Sequence, residues 1–416
     1  MPKRFPNRPS RRDFIRTMCH GKLPVGGFVQ PERTGAKRGI FRPLQKNLFR
    51  PMNSEFGNQA VMPVTHGSLL LRLYAVICSL WMAMGIHVRA ALLPQLNIIT
   101  FPGHSLEGNS LHDPVTRRLA IFAPAQFKPG ERLPVVYYLP GYGGSSAGPI
   151  LHSNQWLAFT GKIADQITPM IIVVPDCRTR WGGSQYLNSR AQGNYADYVC
   201  HDIVPLIERT YPVATNGIRR IVAGHSSGGF GALRLGMQDQ KLFDGVIALS
   251  LDSDFPVSHL PLVQLPGVTN ASLARVHLIA AGKLPVPKDG DLTYAIGLSA
   301  AYAPRGLFHD GQFEWLYDAR GHFQPHVWQR WLDNDPLTMV RENPQAFSRA
   351  QAVYLDGAAH DEYSANIGAQ AISETLRNRP ARCTFYEPPG HHGDHVMDRL
   401  ERGLAWIFDR PMRDIK

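Results

Sequence analysis

Ile218-Arg219-Arg220-Ile221-Val222-Ala223-Gly224-His225-Ser226-Ser227-Gly228-Gly229-Phe230-Gly231-Ala232-Leu233-Arg234-Leu235-Gly236-Met237 reads as an apolar strand, a tight turn and a helix, with Ser226 at the apex. A serine on so sharp a turn needs small neighbours so that strand and helix can approach, and Gly224 and Gly228 supply them. The turn lifts the Ser226 hydroxyl off the sheet edge. The helix that follows offers free N–H groups and partial positive charge where an oxyanion would form. The stretch is therefore read as the nucleophile elbow of a serine hydrolase.

Outward from the elbow, short apolar runs alternate with helical patterns from Leu96 onward, which predicts an α/β fold with a mostly parallel sheet covered on both faces. Strands are expected at 119–123, 135–139, 170–175, 218–223, 245–249, 352–355 and 383–386, and helices at 151–166, 196–210, 227–238, 365–377 and 396–408. One catalytic domain over 97–410 accounts for these elements. The interval of about 100 residues between Leu249 and Ala352 is too long for a loop in a compact domain. It is expected to hold an insertion at about 255–350, between strands 6 and 7, where a lid or acyl-group pocket would sit.

A serine needs a base and an orienting carboxylate, which in this fold follow in the order serine, acid, histidine. After the strand at 352–355, Asp361 lies on the loop and is favoured as the acid; Asp356 at the strand terminus, Glu362 and the Asp252/Asp254 pair are the alternatives. After the last strand, Gly390-His391-His392-Gly393-Asp394-His395 supplies the base. Spacing alone leaves His391 and His392 equal and disfavours His395, which begins the helix. The glycine-rich turn Leu139-Pro140-Gly141-Tyr142-Gly143-Gly144-Ser145 offers a second oxyanion donor, so the N–H of Tyr142 is paired with that of Ser227. His392-Gly393-Asp394-His395 is also part of a dinuclear zinc signature, but Gly390 replaces its first histidine and other ligands would have to come from His360 or elsewhere, so no metal is expected. The glycines are too few and wrongly spaced for a phosphate loop. No cofactor is expected.

With these residues in place, the chain from about 97 to 408 resembles the esterase D-type branch of the α/β-hydrolases, which includes S-formylglutathione hydrolases, feruloyl and acetylxylan esterases and mycolyltransferases. The likeness rests on Leu139 to Gly144, on Pro175-Asp176-Cys177-Arg178-Thr179-Arg180-Trp181-Gly182-Gly183-Ser184-Gln185-Tyr186, on Gly224 to Leu233, on His360-Asp361-Glu362-Tyr363, and on Gly390-His391-His392 with Val396 to Glu401. The resemblance implies an α/β-hydrolase fold with Ser226 as nucleophile, Asp361 as acid and His392 as base, because the family's G-x-H stands at a fixed distance before a helix like Asp398-Arg399-Leu400-Glu401. His391 at the middle position departs from that pattern. The resemblance also implies that Trp181 and Tyr186 line the substrate pocket. The expected activity is an exported serine carboxylesterase acting on a small-molecule or carbohydrate-linked ester or thioester. An acyltransferase with an alcohol acceptor, and a binding protein on a hydrolase fold, are the rival readings.

The chain has 416 residues with 44% hydrophobic and 10% aromatic content, enough for a sizeable core. Its net charge of +11 lies entirely in residues 1–51, which are rich in Arg, Pro and Gly. The remainder is neutral, which argues against nucleic acid as a partner. Residues 1–61 are expected to be a basic, unfolded leader or an extended start. Ser10 to Arg16 resembles a twin-arginine signal but lacks an apolar segment directly behind it. Residues 62–91 read better as a signal peptide: Arg72 precedes a 14-residue apolar run ending at Ile86, and Val88-Arg89-Ala90 offers a cleavage site. The run is short of the roughly 20 residues a membrane span needs. Periplasmic or secreted placement is expected, with an anchor through 69–86 as the alternative. Cys177, Cys200 and Cys383 would survive cleavage, and their odd count without C-x-x-C spacing argues against a disulfide framework.

Overall fold

The computed structural model describes residues 94–288, 290–305, 312–343, 345–347, 352–412 and 414–415. The expected leader, the twin-arginine-like motif and the signal segment lie outside the described residues. Among the described residues, eight strands form one sheet: β1 (Pro94–Pro102), β2 (Thr116–Pro124), β3 (Val135–Leu139), β4 (Ile171–Pro175), β5 (Arg220–His225), β6 (Gly245–Leu249), β7 (Ala352–Asp356) and β8 (Arg382–Tyr386). Their order across the sheet is β1-β2-β4-β3-β5-β6-β7-β8. β1 pairs antiparallel with β2 and β2 antiparallel with β4; every other pairing is parallel. This is the expected mostly parallel arrangement.

β1 has no counterpart among the predicted strands. It is an edge strand whose exposure alternates along its length, with Pro94, Asn97, Thr100 and Pro102 diluting the apolar pattern. Its full antiparallel register with β2 creates the strand where sequence density does not.

The central strands are buried on both faces, which is why they read as unbroken apolar runs. Alternate residues feed two separate cores. Ile121, Val135, Tyr137, Ile171, Val173 and Val222 face one, with Ala232 and Leu235 of α3 (Ser227–Gln238) and Ala369 and Ile372 of α7 (Ala365–Leu376). Phe122, Val136, Ile172, Val174, Ile221 and Ile247 face the other, with Trp156 and Ile163 of α1 (Ser153–Gln166) and Leu400 and Leu404 of α8 (Val396–Ile407). The period of two along each strand thus puts helices on both faces. The predicted helix at 196–210 is a composite: a π-helical turn at Tyr198–Ile203 leads into α2 (Val204–Thr210).

Between β6 and β7 lie short helical turns at Phe255–Ser258 and Leu260–Val263, then α4 (Gly290–Tyr302), α5 (Pro325–Leu332) and α6 (Pro336–Glu342). α4 is buried over most of its length. Trp331 of α5 packs with Tyr302 and His259, and Trp328 packs against Trp331. Among the described residues no helix is long and apolar enough to cross a membrane. Cys177, Cys200 and Cys383 are free thiols.

Candidate active site

The elbow is built where β5 turns into α3. Ser226 sits at φ 59°, ψ −127°, a conformation that L side chains rarely adopt, with its N–H donating to Leu249 O at 2.9 Å. Two glycines make the turn possible. A Cβ on Gly228 would lie 1.9 Å from Leu139 O, and one on Gly224 would lie 2.3 Å from the Gly228 backbone. β3, β5 and α3 meet there at contact distance, so neither position tolerates a side chain.

Past β7 the chain turns through Asp361, whose side chain is wholly out of solvent. Its Oδ1 accepts from the N–H of Tyr363 at 3.0 Å, and its Oδ2 lies 2.8 Å from Nδ1 of His392. Burial pushes the Asp361 carboxyl up, yet the His392 hydrogen bond and charge, the Ser250 hydroxyl and the Tyr363 N–H together hold it below its ordinary value. A carboxylate that stays ionised fixes Nδ1 of His392 as the protonated nitrogen, leaving Nε2 as an acceptor. His391 instead turns outward to Glu362, at 2.8 Å and 62% exposed, and His395 is exposed ahead of α8. Of the three histidines the spacing offered, His392 is the one beside Asp361.

Ser226 and His392 line one cavity of about 510 Å³ together with Gly141, Tyr142, Asp252 and Tyr294. The Gly141 turn presses on the elbow: a Cβ on Gly141 would lie 3.3 Å from Ser226 Cβ. The N–H of Tyr142 belongs to that turn. Ser227 opens α3, where first-turn N–H groups have no intrahelical acceptor. Both expected oxyanion donors therefore flank Ser226.

Trp181 and Tyr186 do not line this cavity. They are 1% and 5% exposed and brace the Gly141–Gly144 turn from behind. The Tyr186 hydroxyl donates to Pro140 O at 2.5 Å, and the Tyr142 hydroxyl donates to Trp181 O, with the Arg180 guanidinium 4.6 Å over the Trp181 ring. Being large, apolar and sited on a loop suited either role, and packing claimed them.

Sequence reasoning missed a clamp behind His392. Arg399 on α8 is fully buried and donates to both oxygens of Asp356 (2.6 and 3.1 Å), to Ser250 Oγ (2.6 Å) and to the carbonyls of His392 and Asp394 (3.1 and 3.3 Å). The Nε2–H of His225, the elbow residue before the serine, also donates to His392 O at 2.8 Å. The signal available was an arginine one place before Leu400 on the helix's apolar face. Among the described residues no group of three or more His, Cys, Asp or Glu side chains could hold a metal ion.

Residues 113–403 match the family model described as "Putative esterase". The chain belongs to that family and is a carboxylic ester hydrolase on the α/β-hydrolase fold. Among solved structures it is similar to a ferulic acid esterase, at 18% identity and TM-score 0.50, covering 76% of this chain and 98% of that one. It is likewise similar to the fluorophosphonate-binding serine hydrolase F of Staphylococcus aureus, at 13% identity and TM-score 0.50, covering 76% and 98%. An S-formylglutathione hydrolase from Agrobacterium tumefaciens aligns at 14% identity and TM-score 0.49 over 77% and 96%.

Proposed function

We propose that the protein hydrolyses carboxylic esters through a Ser226–His392–Asp361 relay and an acyl-enzyme intermediate. The carrying observation is the 2.8 Å bond between His392 Nδ1 and Asp361 Oδ2, which leaves the other ring nitrogen free beside a strained serine in the same cavity. His392 Nε2 takes the Ser226 proton as Oγ attacks the ester carbonyl. The carbonyl oxygen becomes an oxyanion held by the N–H groups of Ser227 and Tyr142. His392 then returns the proton to the departing alcohol, and Asp361 stabilises the transient imidazolium without itself becoming protonated. Water repeats the sequence on the acyl-enzyme and releases the acid. Water as the acceptor makes this a hydrolase rather than a transferase.

A fluorophosphonate probe tests the reading directly. Wild type should be labelled at Ser226, and Ser226→Ala should lose both labelling and roughly 10⁵-fold or more of kcat on p-nitrophenyl acetate. Equal labelling of the two proteins would sink the proposal. Supplying glycerol as a competing acceptor should leave free acid as the main product; predominant ester exchange would convert the reading to acyl transfer.

A further inference from the structure

Asp252, one of the carboxylates the sequence offered as the acid, is committed elsewhere. It lies just past β6 and is buried. One of its oxygens, Oδ2, gathers two donors from segments far apart in the chain: the Ser227 hydroxyl at 2.8 Å and the Gln185 amide Nε2 at 3.1 Å. A carboxylate oxygen holds such converging donors more tightly than a neutral acceptor would. Gln185 Nε2 also donates to the Tyr302 hydroxyl at 2.9 Å, at the end of α4. The opposite amide orientation would set the Gln185 carbonyl oxygen against the carboxylate, so charge fixes the direction of the bond.

Each donor leads to one of the two proposed oxyanion groups. Ser227 opens α3 and carries the first; its hydroxyl bond to Asp252 and the Ser226 N–H bond to Leu249 O tie the start of that helix twice to the chain leaving β6. Gln185 and Tyr186 are consecutive non-glycine residues at φ 52° and 53°, a conformation that lasts only where neighbours enforce it. The bonds of the Gln185 side chain to Asp252 and Tyr302 enforce it. The Tyr186 hydroxyl, donating to Pro140 O at 2.5 Å, passes the constraint to the turn that carries the Tyr142 N–H. The Tyr186 ring also covers Gly231 of α3, where a Cβ would lie 2.4 Å from it.

We infer that Asp252 is a positioning residue that sets both oxyanion donors from a single carboxylate oxygen. The inference rests on the esterase reading of Ser226, with the N–H groups of Ser227 and Tyr142 as its oxyanion hole. Asp252 acts through Ser227 on one donor and through Gln185 and Tyr186 on the other. A donor that drifts by a fraction of an ångström gives up little of its hold on a neutral carbonyl and much of its hold on an oxyanion. Cutting the tethers therefore weakens the transition state more than the substrate complex.

A trifluoromethyl ketone inhibitor reports the oxyanion directly: Ser226 Oγ adds to the ketone carbon, the serine proton passes to His392, and the carbonyl oxygen becomes the oxyanion, with no group leaving. Ser227→Ala and Gln185→Met each cut one tether, and Asp252→Ala cuts both. Asp252→Ala should lower kcat/KM for p-nitrophenyl acetate by about tenfold or more, chiefly through kcat, and weaken the inhibitor by the same factor. The single-tether variants should fall between it and wild type, and Asp252→Asn should recover most of the loss because it keeps an acceptor oxygen. Adding Asp252→Ala to the Ser227→Ala/Gln185→Met pair should cost less than about threefold more. Unchanged inhibitor affinity in Asp252→Ala, or losses that multiply in the triple variant, would overturn the inference. Should Asp252→Ala fail to fold by circular dichroism, Ser227→Ala and Gln185→Met decide it: parallel losses of kcat/KM and inhibitor affinity support the assignment, and a fall in kcat/KM alone, or none, overturns it. A wild type that neither turns over the ester nor binds the ketone would count against the esterase reading instead, so the two failures are distinguishable.

Discussion

Asp361 keeps its charge although burial opposes it, because His392, Ser250 and the Tyr363 N–H all favour the ionised form. Asp361→Asn should hold His392 in the wrong tautomer and lower kcat by roughly 10⁴-fold with little change in KM; a loss below tenfold in steady-state kinetics would remove Asp361 from the proposed relay. His225 tells a different story. Burial first, then the neighbouring His392 charge, pushes its imidazole down from 6.5 to about 3. As pH falls, the unfolded chain therefore binds that proton before the folded one does, so the protein loses stability between about 6.5 and 3. Asp361, depressed when folded, acts in the same direction: its contribution is full above the unfolded value and disappears as pH drops through the folded one. Asp335, whose carboxyl burial pushes up to about 6, works oppositely. Comparing Tm at pH 5 and pH 7.5 for wild type and His225→Gln isolates the histidine, and the variant should show the smaller loss; identical losses would contradict the assignment. At this scale Ser226 and Asp361 were legible because each sits in a local signature. His392 was not separable from His391 by spacing, since only a carboxylate contributed from the loop after another strand distinguishes them.

The elbow is a three-element contact, and its tolerance is set by β3, β5 and α3 together. Gly228→Ala would place a methyl group 1.9 Å from Leu139 O, where backbone cannot yield. A loss of about 3 kcal/mol or more in urea denaturation is expected; a loss under 1 kcal/mol would mean that α3 can slide. The junction of α8 with β7 depends on Arg399. Arg399→Met leaves Asp356 charged and buried, which should cost about 3–5 kcal/mol. Arg399→Met with Asp356→Leu should recover most of that stability, yet kcat should remain depressed, because the His392 and Asp394 carbonyls still lack their donor. Recovery of kcat alongside stability would reduce Arg399 to a packing role. Elements with apolar runs, β2 through β8, were readable in advance. β1 was not, because an edge strand with one face in solvent draws its stability from β2 rather than from its own composition.

Across the whole molecule the two-sided core was legible, because strands buried on both faces leave continuous apolar runs. What lies between β6 and β7 was legible only as a length. The positions of Asp252, His259, Tyr294 and the Trp328–Trp331 pair follow from packing between segments remote in sequence, and no periodicity encodes it. The same remoteness governs how the site comes into being. His225 meets His392 across 167 positions and Arg399 meets Ser250 across 149, so the pocket around Ser226 closes only after loops of that length have been closed. Contacts of such span form late on a folding path. After dilution from denaturant, far-UV circular dichroism should return before Ser226 becomes reactive toward a fluorophosphonate. The serine is thus a clock for the final stage of folding as well as the candidate nucleophile, and simultaneous return of the two signals would place assembly of the pocket early.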